Sequence, residues 1–131
     1  APEAHYNLAS LYGNLGKFIQ ASKEFDISAK LFRGHINSPP QNFYSDKARA
    51  HNQAGIAYIN AKKYEEALNQ FQKSVKQNPN VLESRFNLAK LLLDFKNNKK
   101  GAAIHLNKAL QLDPNTQQTR VLKKLLSQIS N

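Results

Sequence analysis

The stretch YEEALNQFQKSVKQNPN, residues 64–80, decides the fold. Ala67 stands four places before Phe71, one small and one bulky residue on the same side of a helix. Glu65 and Glu66 open the segment, where carboxylates favour the helix dipole and pair with Lys62 or Lys63. Pro79 closes it, because proline pushes the preceding residue out of helical backbone. Asn80 follows, a residue type suited to cap the next helix.

The same arrangement recurs on both sides. HYNLASLYGNLGKFIQASKEF (5–25), HNQAGIAYINAKKYEEALNQF (51–71) and RFNLAKLLLDFKNNKKGAAIHL (85–106) align with one another. Each has a large apolar residue four places after a smaller or apolar one: Leu8 and Tyr12, Ala54 and Tyr58, Leu88 and Leu92. Each then pairs a small with a bulky residue: Ala21 and Phe25, Ala67 and Phe71, Ala102 and Leu106. Tyr58 and Leu92 lie 34 residues apart, and Pro79 and Pro114 lie 35 apart. The additional residue falls in the polar turn KNNKKG, where lengthening is inexpensive. Leu8, Leu11, Tyr12 and Leu15 recur at helical spacing, as do Leu88, Leu91, Leu92 and Phe95. Ala21, Phe25, Ser28, Ala29 and Phe32 mark a second helix. Ala9, Gly55 and Ala89 are small enough to let paired helices approach closely. The reading is an all-α chain of helix–turn–helix units with a period of 34 residues.

This pattern resembles the tetratricopeptide repeat (TPR) family. HYNLASLY is similar to its first-helix motif, with His5 where Trp is common, and YEEALNQFQKSVKQNPN to its second helix and closing proline. The resemblance implies a right-handed superhelical solenoid of three hairpins and a cap, about seven helices in one domain. Repeat 1 covers about 2–47 with an insertion at 34–46, repeat 2 about 48–81, repeat 3 about 82–115, and a capping helix about 116–130. In the insertion, Pro39-Pro40 breaks the chain. Ile36, Phe43 and Tyr44 make it too apolar for a free tether. The expectation is a second helix running past Phe32, a following helix starting near Phe43, and Ile36 buried against Tyr44; the alternative is a disordered loop whose aromatics, Phe43 and Tyr44, wait for a partner. In the cap, Val121, Leu122, Leu125, Leu126 and Ile129 form one apolar face, leaving Arg120, Lys123 and Lys124 off it.

The chain's 131 residues suit one domain. The absence of Cys excludes disulfides, Cys-based zinc sites and thiol nucleophiles. No apolar run approaches the ~20 residues of a membrane span. The start lacks the basic end and apolar core of a signal peptide. With no Met anywhere, the chain reads as a processed or excised piece. A soluble chain, with a slight preference for the cytoplasm, is expected. His5, His35, His51 and His105 form no metal-spaced pairs. His5 and His51 share a repeat position and read as packing residues. Gly13 and Gly16 flank a turn, not a phosphate loop, and no serine sits in a nucleophile elbow. Nothing here suggests an enzyme or a cofactor.

The resemblance places function in a concave groove lined by the first helices. Its groove positions fall on Glu3, Tyr6, Asn7, Ser10 and Asn14 in the first repeat. In the second they are Arg49, Asn52, Gln53, Ile56, Ile59 and Asn60, and in the third Glu83, Phe86, Asn87, Lys90, Leu93 and Asp94. Asn7, Gln53 and Asn87 share one position. An amide ladder of this kind suits the main chain of an extended peptide, although Asn is also common there in the family. Tyr6 and Phe86 are the expected aromatic anchors. The family's carboxylate clamp is absent, because Tyr6, Ser10, Glu83 and Asn87 occupy its positions. The expected partner is another protein or peptide.

Charge supplies the alternatives. Lys and Arg number 19 against 9 Asp and Glu, and residues 83–131 alone carry net +6. Lys96, Lys99, Lys100, Lys108, Arg120, Lys123 and Lys124 form a basic patch. It reads as a solubilising surface or as a site for an acidic protein, an anionic lipid or RNA. No aromatic follows Phe95, so RNA is the weakest of these. Head-to-tail self-assembly into homo-oligomers is a further alternative.

Overall fold

In all three hairpins one residue is turned into left-handed backbone so that the chain can double back. These are Gly16 (φ +75°), Lys62 (φ +60°) and Asn97 (φ +50°). The N–H of Lys17 donates to the carbonyl of Tyr12 at 2.9 Å, and that of Lys63 to Tyr58 at 2.8 Å. Both bonds close the end of the first helix over the left-handed residue. The N–H of Asn98 reaches one residue further back, to Leu92 at 2.8 Å. The 35-residue period therefore has its origin in this turn. The side chain of Asn98 then caps the next helix, accepting from the N–H of Gly101 at 2.8 Å.

The computed structural model describes residues 1–33 and 39–130. Among them are seven helices and no strand: α1 (Pro2–Asn14), α2 (Phe18–Arg33), α3 (Phe43–Asn60), α4 (Tyr64–Gln77), α5 (Leu82–Asp94), α6 (Lys99–Leu112) and α7 (Gln117–Ser130). The chain divides into two compact units, Ala1–Asn78 with α1 to α4 and Pro79 onward with α5 to α7.

In the first unit, α1 packs on α2, α2 on α3 and α3 on α4. The small positions act as the sequence suggests. Ala9, Ala21, Ala54 and Ala67 are fully buried. A Cβ on Gly55 would lie 2.5 Å from the buried Phe71 ring, so only glycine lets α3 approach α4 this closely. Two buried serines repeat one bond. Ser28 Oγ donates to the carbonyl of Pro2, and Ser74 Oγ to that of Ala48, both at 2.7 Å. Each joins the second helix of a hairpin to the first. Ala109 holds the corresponding place in α6.

The insertion is partly core. As expected, α3 begins at Phe43, and this residue has no exposed surface. Its ring meets Tyr6, Phe25, Phe32 and Tyr44 with centroids 5.2–5.8 Å apart. Such ring pairs add to the ~1.5–3 kcal/mol of burying one Phe. The expected contact of Ile36 lies outside the described residues, and Tyr44 packs against Phe43.

In the second unit, α6 packs on α5 and α7 on α6. Leu88, Ala89, Leu91, Leu92, Ala102, Leu106, Ala109 and Leu122 are buried. Two expectations need correction. The N-cap position of α5 is held not by Asn80 but by Val81, in extended backbone and with no side-chain cap. Before α7, Asn115 contributes its backbone N–H, which donates to Asp113 Oδ1, while Thr119 Oγ1 donates to the Asp113 carbonyl at 2.7 Å. Val121, assigned to the apolar face of α7, is 47% exposed. Leu122, on the same expected face, is buried as the sequence suggests.

Candidate functional site

Three of the expected groove residues meet in one place. Ser10 and Asn14 of α1 and Arg49 of α3 line a cavity of about 180 Å³ in the first unit. Ala9, Ala50, Phe18 and Phe25 supply apolar wall, and Asp46 adds a carboxylate. The α3 extension created by the insertion brings Asp46 there, a residue that groove positions alone do not select. The cavity thus sets a cation, an anion, a hydroxyl and an amide around an apolar interior.

Other groove candidates are placed differently. Tyr6 is half-buried, and its ring packs on Phe25 and Phe43. Its hydroxyl donates to Asp46 Oδ2 at 3.3 Å. Burial, and then the Asp46 charge, raise its pKa above 10.0. Tyr6 is therefore a packing residue and not a free anchor. Asn52 is buried and is not a groove surface residue. Asn7, Asn60 and Arg49 are exposed, and Gln53 and Ile56 half-buried. In the second unit, Phe86 and Asn87 are half-buried on α5 and Lys90 is exposed.

The structure also shows polar contacts that sequence reading missed. The fourth residue of each repeat pairs with the second helix of its own hairpin. His5 Nδ1 meets Glu24 Oε2 and His51 Nδ1 meets Gln70 Oε1, both at 2.6 Å. Arg85 Nη1 donates to His105 Nδ1 at 2.9 Å. Burial, and then the Arg85 charge, lower the His105 pKa below 6.5, consistent with a neutral ring accepting that bond.

His51 also donates from Nε2 to Asp26 Oδ1 at 3.2 Å. Lys47 reaches the same oxygen at 3.4 Å, and Lys73 donates to Asp26 Oδ2 at 2.9 Å. One carboxylate of α2 therefore ties together α3 and α4. Burial works to raise the Asp26 pKa, but the bonds and charges of His51 and Lys73 outweigh it and hold the carboxyl well below its usual range.

In the second unit Lys96, Lys99, Lys100, Lys108, Arg120, Lys123 and Lys124 are all exposed. Phe95, the last aromatic, carries the Lys96 Nζ 4.8 Å above its ring. Glu65 and Glu66 are exposed at the start of α4. Among the described residues no three His, Asp or Glu side chains stand close enough to hold a metal ion. No described helix is long and apolar enough to cross a membrane.

Comparison with known proteins accounts for this arrangement. No curated protein sequence matches the chain. Among solved structures it is similar to the type III secretion translocator chaperone SycD of Yersinia enterocolitica. The TM-score is 0.61 at 20% identity, covering 98% of this chain and 82% of that one. SycD in complex with a peptide of the translocator YopD gives 0.56 at 21% identity, covering 97% and 87%. The first TPR of Spaghetti (RPAP3), bound to the HSP90 peptide SRMEEVD, gives 0.59 at 16% identity, covering 98% and 90%. These likenesses are of fold. Models of the tetratricopeptide repeat match residues 2–31, 48–81 and 82–116, the stretches that hold the three helical hairpins: the chain belongs to the tetratricopeptide repeat family.

Proposed function

We propose that the chain is a protein-interaction module that holds an extended peptide segment of a partner along α1 and α3. The cavity between these helices carries the reading. Ser10, Asn14, Asp46 and Arg49 converge there around Ala9 and Ala50. That set suits a peptide main chain together with one small side chain, since an amide and a hydroxyl can each donate and accept. The cavity is too small for a drug-sized ligand and fits one residue of a longer segment. Two structurally similar proteins are bound to peptides, which supports the same use of the fold.

A peptide library screened against the chain tests this. Arg49→Glu with Asn14→Ala should weaken the selected peptides about tenfold or more, the scale of one lost charge-assisted bond. Selected peptides that bind the variant equally well would place recognition elsewhere.

Self-association is a second reading, favoured by one observation. Leu11 on α1, Leu15 just past its end, and Ile27 and Leu31 on α2 are exposed large apolar residues. Exposed apolar side chains of this size suit contact with a second copy of the chain. Light scattering over a concentration series decides: a mass that stays monomeric and is unchanged by Leu11→Lys and Leu15→Lys removes this reading.

A further inference from the structure

We propose that a second cleft in the first unit, bounded by α2, α3 and α4, binds a compact soluble polyphosphate. The cleft has a volume of about 370 Å³, and it shares no lining residue with the cavity between α1 and α3. Lys30, Arg33, Lys47, Lys73 and Lys76 all line it, against one acid, Asp26. These residues come from three helices and are spread over 47 positions, so the charge is gathered by folding and not by a basic run in the sequence.

The carboxylate is already engaged. Asp26 is shared between Lys47, His51 and Lys73. Among the described residues no carboxylate pairs with Lys30, Arg33 or Lys76. Lys47, only 7% exposed, lies inside the cleft while Lys30, Arg33 and Lys76 are exposed. The charges oppose one another as well. Burial lowers the Lys47 pKa, Asp26 next acts to raise it, and the smaller contributions of the neighbouring Lys73 and Arg33 charges lower it. A bound anion would relieve that repulsion.

Size and depth select the ligand. A phosphate group brings about −1.5 to −2 charges and three acceptor oxygens, against −1 for a carboxylate. Five cations around a space at the lower end of small-molecule sites, with Lys30, Arg33 and Lys76 not engaged by Asp26, suit clustered phosphates better than an acidic peptide. Arg33 adds a planar fork for phosphate oxygens, and the lysines add point charges. A flat lipid surface would meet Lys30, Arg33 and Lys76 but not Lys47.

The test is calorimetric titration of the whole chain with inositol hexakisphosphate at physiological salt. Saturable binding is expected. The triple variant Lys30→Gln, Arg33→Gln, Lys76→Gln should weaken it at least about tenfold, since charged hydrogen bonds are lost. The control triple Lys99→Gln, Lys100→Gln, Lys108→Gln removes the same charge from the second unit and should change it by less than about twofold. All six side chains are exposed, so both variants should retain the fold, which circular dichroism verifies. Equal losses in the two triples would reduce the effect to diffuse attraction and overturn the proposal. So would absence of binding, or displacement by hexaglutamate at equal concentration. Binding confined to phosphatidylcholine vesicles doped with phosphatidylinositol bisphosphate would assign the charge to a membrane surface and overturn it too.

Discussion

Replacing Gly55 with alanine sets two known effects against each other. In an exposed helix this substitution stabilises by about 0.5–1 kcal/mol, because glycine loses more backbone freedom on folding. Here the new methyl would lie 2.5, 2.7 and 2.8 Å from three atoms of the Phe71 ring. Ordinary contact begins near 3.4 Å, so ring or helix must shift by almost 1 Å. Phe71 has no exposed surface. Overpacking of this kind costs about 1–3 kcal/mol. The expected net result is a loss of about 1–2 kcal/mol, read from urea denaturation followed by circular dichroism. A second substitution supplies the control. Phe71→Leu shortens the side chain that the methyl strikes, so in its presence Gly55→Ala should be at least about 1 kcal/mol less damaging. If Gly55→Ala alone stabilises the chain, or the two substitutions add without coupling, the close approach of α3 to α4 does not have the role given to it.

Asp26→Asn should destabilise the first unit by about 2 kcal/mol, because Lys47 loses its counter-charge while remaining buried. The folded pKa of Asp26 lies below its ordinary 3.8, so its contribution is complete above about pH 4 and is lost as pH falls through the folded value. Denaturation curves of wild type and Asp26→Asn should accordingly converge in acid and diverge at neutral pH; a constant gap would refute the linkage. Ser74→Ala should cost about 1 kcal/mol through the unpaired loss of a buried bond to Ala48, checked by urea midpoint. Lys62→Gly should stabilise by about 0.5–1 kcal/mol, because glycine adopts φ +60° without the Cβ penalty; thermal denaturation measures it.

The hairpins were legible because their determinants are local. Ala67 and Phe71 lie one helical turn apart, and the polar turn around Asn97 announces itself in composition. Even Phe43 as a helix start could be read, since an apolar residue just after Pro39-Pro40 and ahead of a periodic stretch has few other uses. The Asp26 cluster could not, because its partners lie 21, 25 and 47 residues away and nothing in the one-dimensional pattern pairs them. The cleft of five cations escaped for the same reason: residues 1–47 carry only net +1, so charge averaged along the chain pointed to the far end. Tyr6 looked like groove surface because family positions assume a following helix of ordinary length. Starting α3 at Phe43 covers Tyr6 with an additional aromatic turn.

That early start bears on how the first two hairpins come apart. In an array where each hairpin touches only its neighbours, opening can stop at any boundary. Here a single continuous helix crosses the boundary. The first turn of α3 sits among Tyr6, Phe25 and Phe32, while Gly55 near its other end meets Phe71. Detaching the first hairpin strips Phe43 of its cover, and unwinding α3 to follow it removes the partner of α4. Amide protons of α2 and α4 should therefore exchange with solvent in one cooperative event, at one common free energy, although they belong to different repeats.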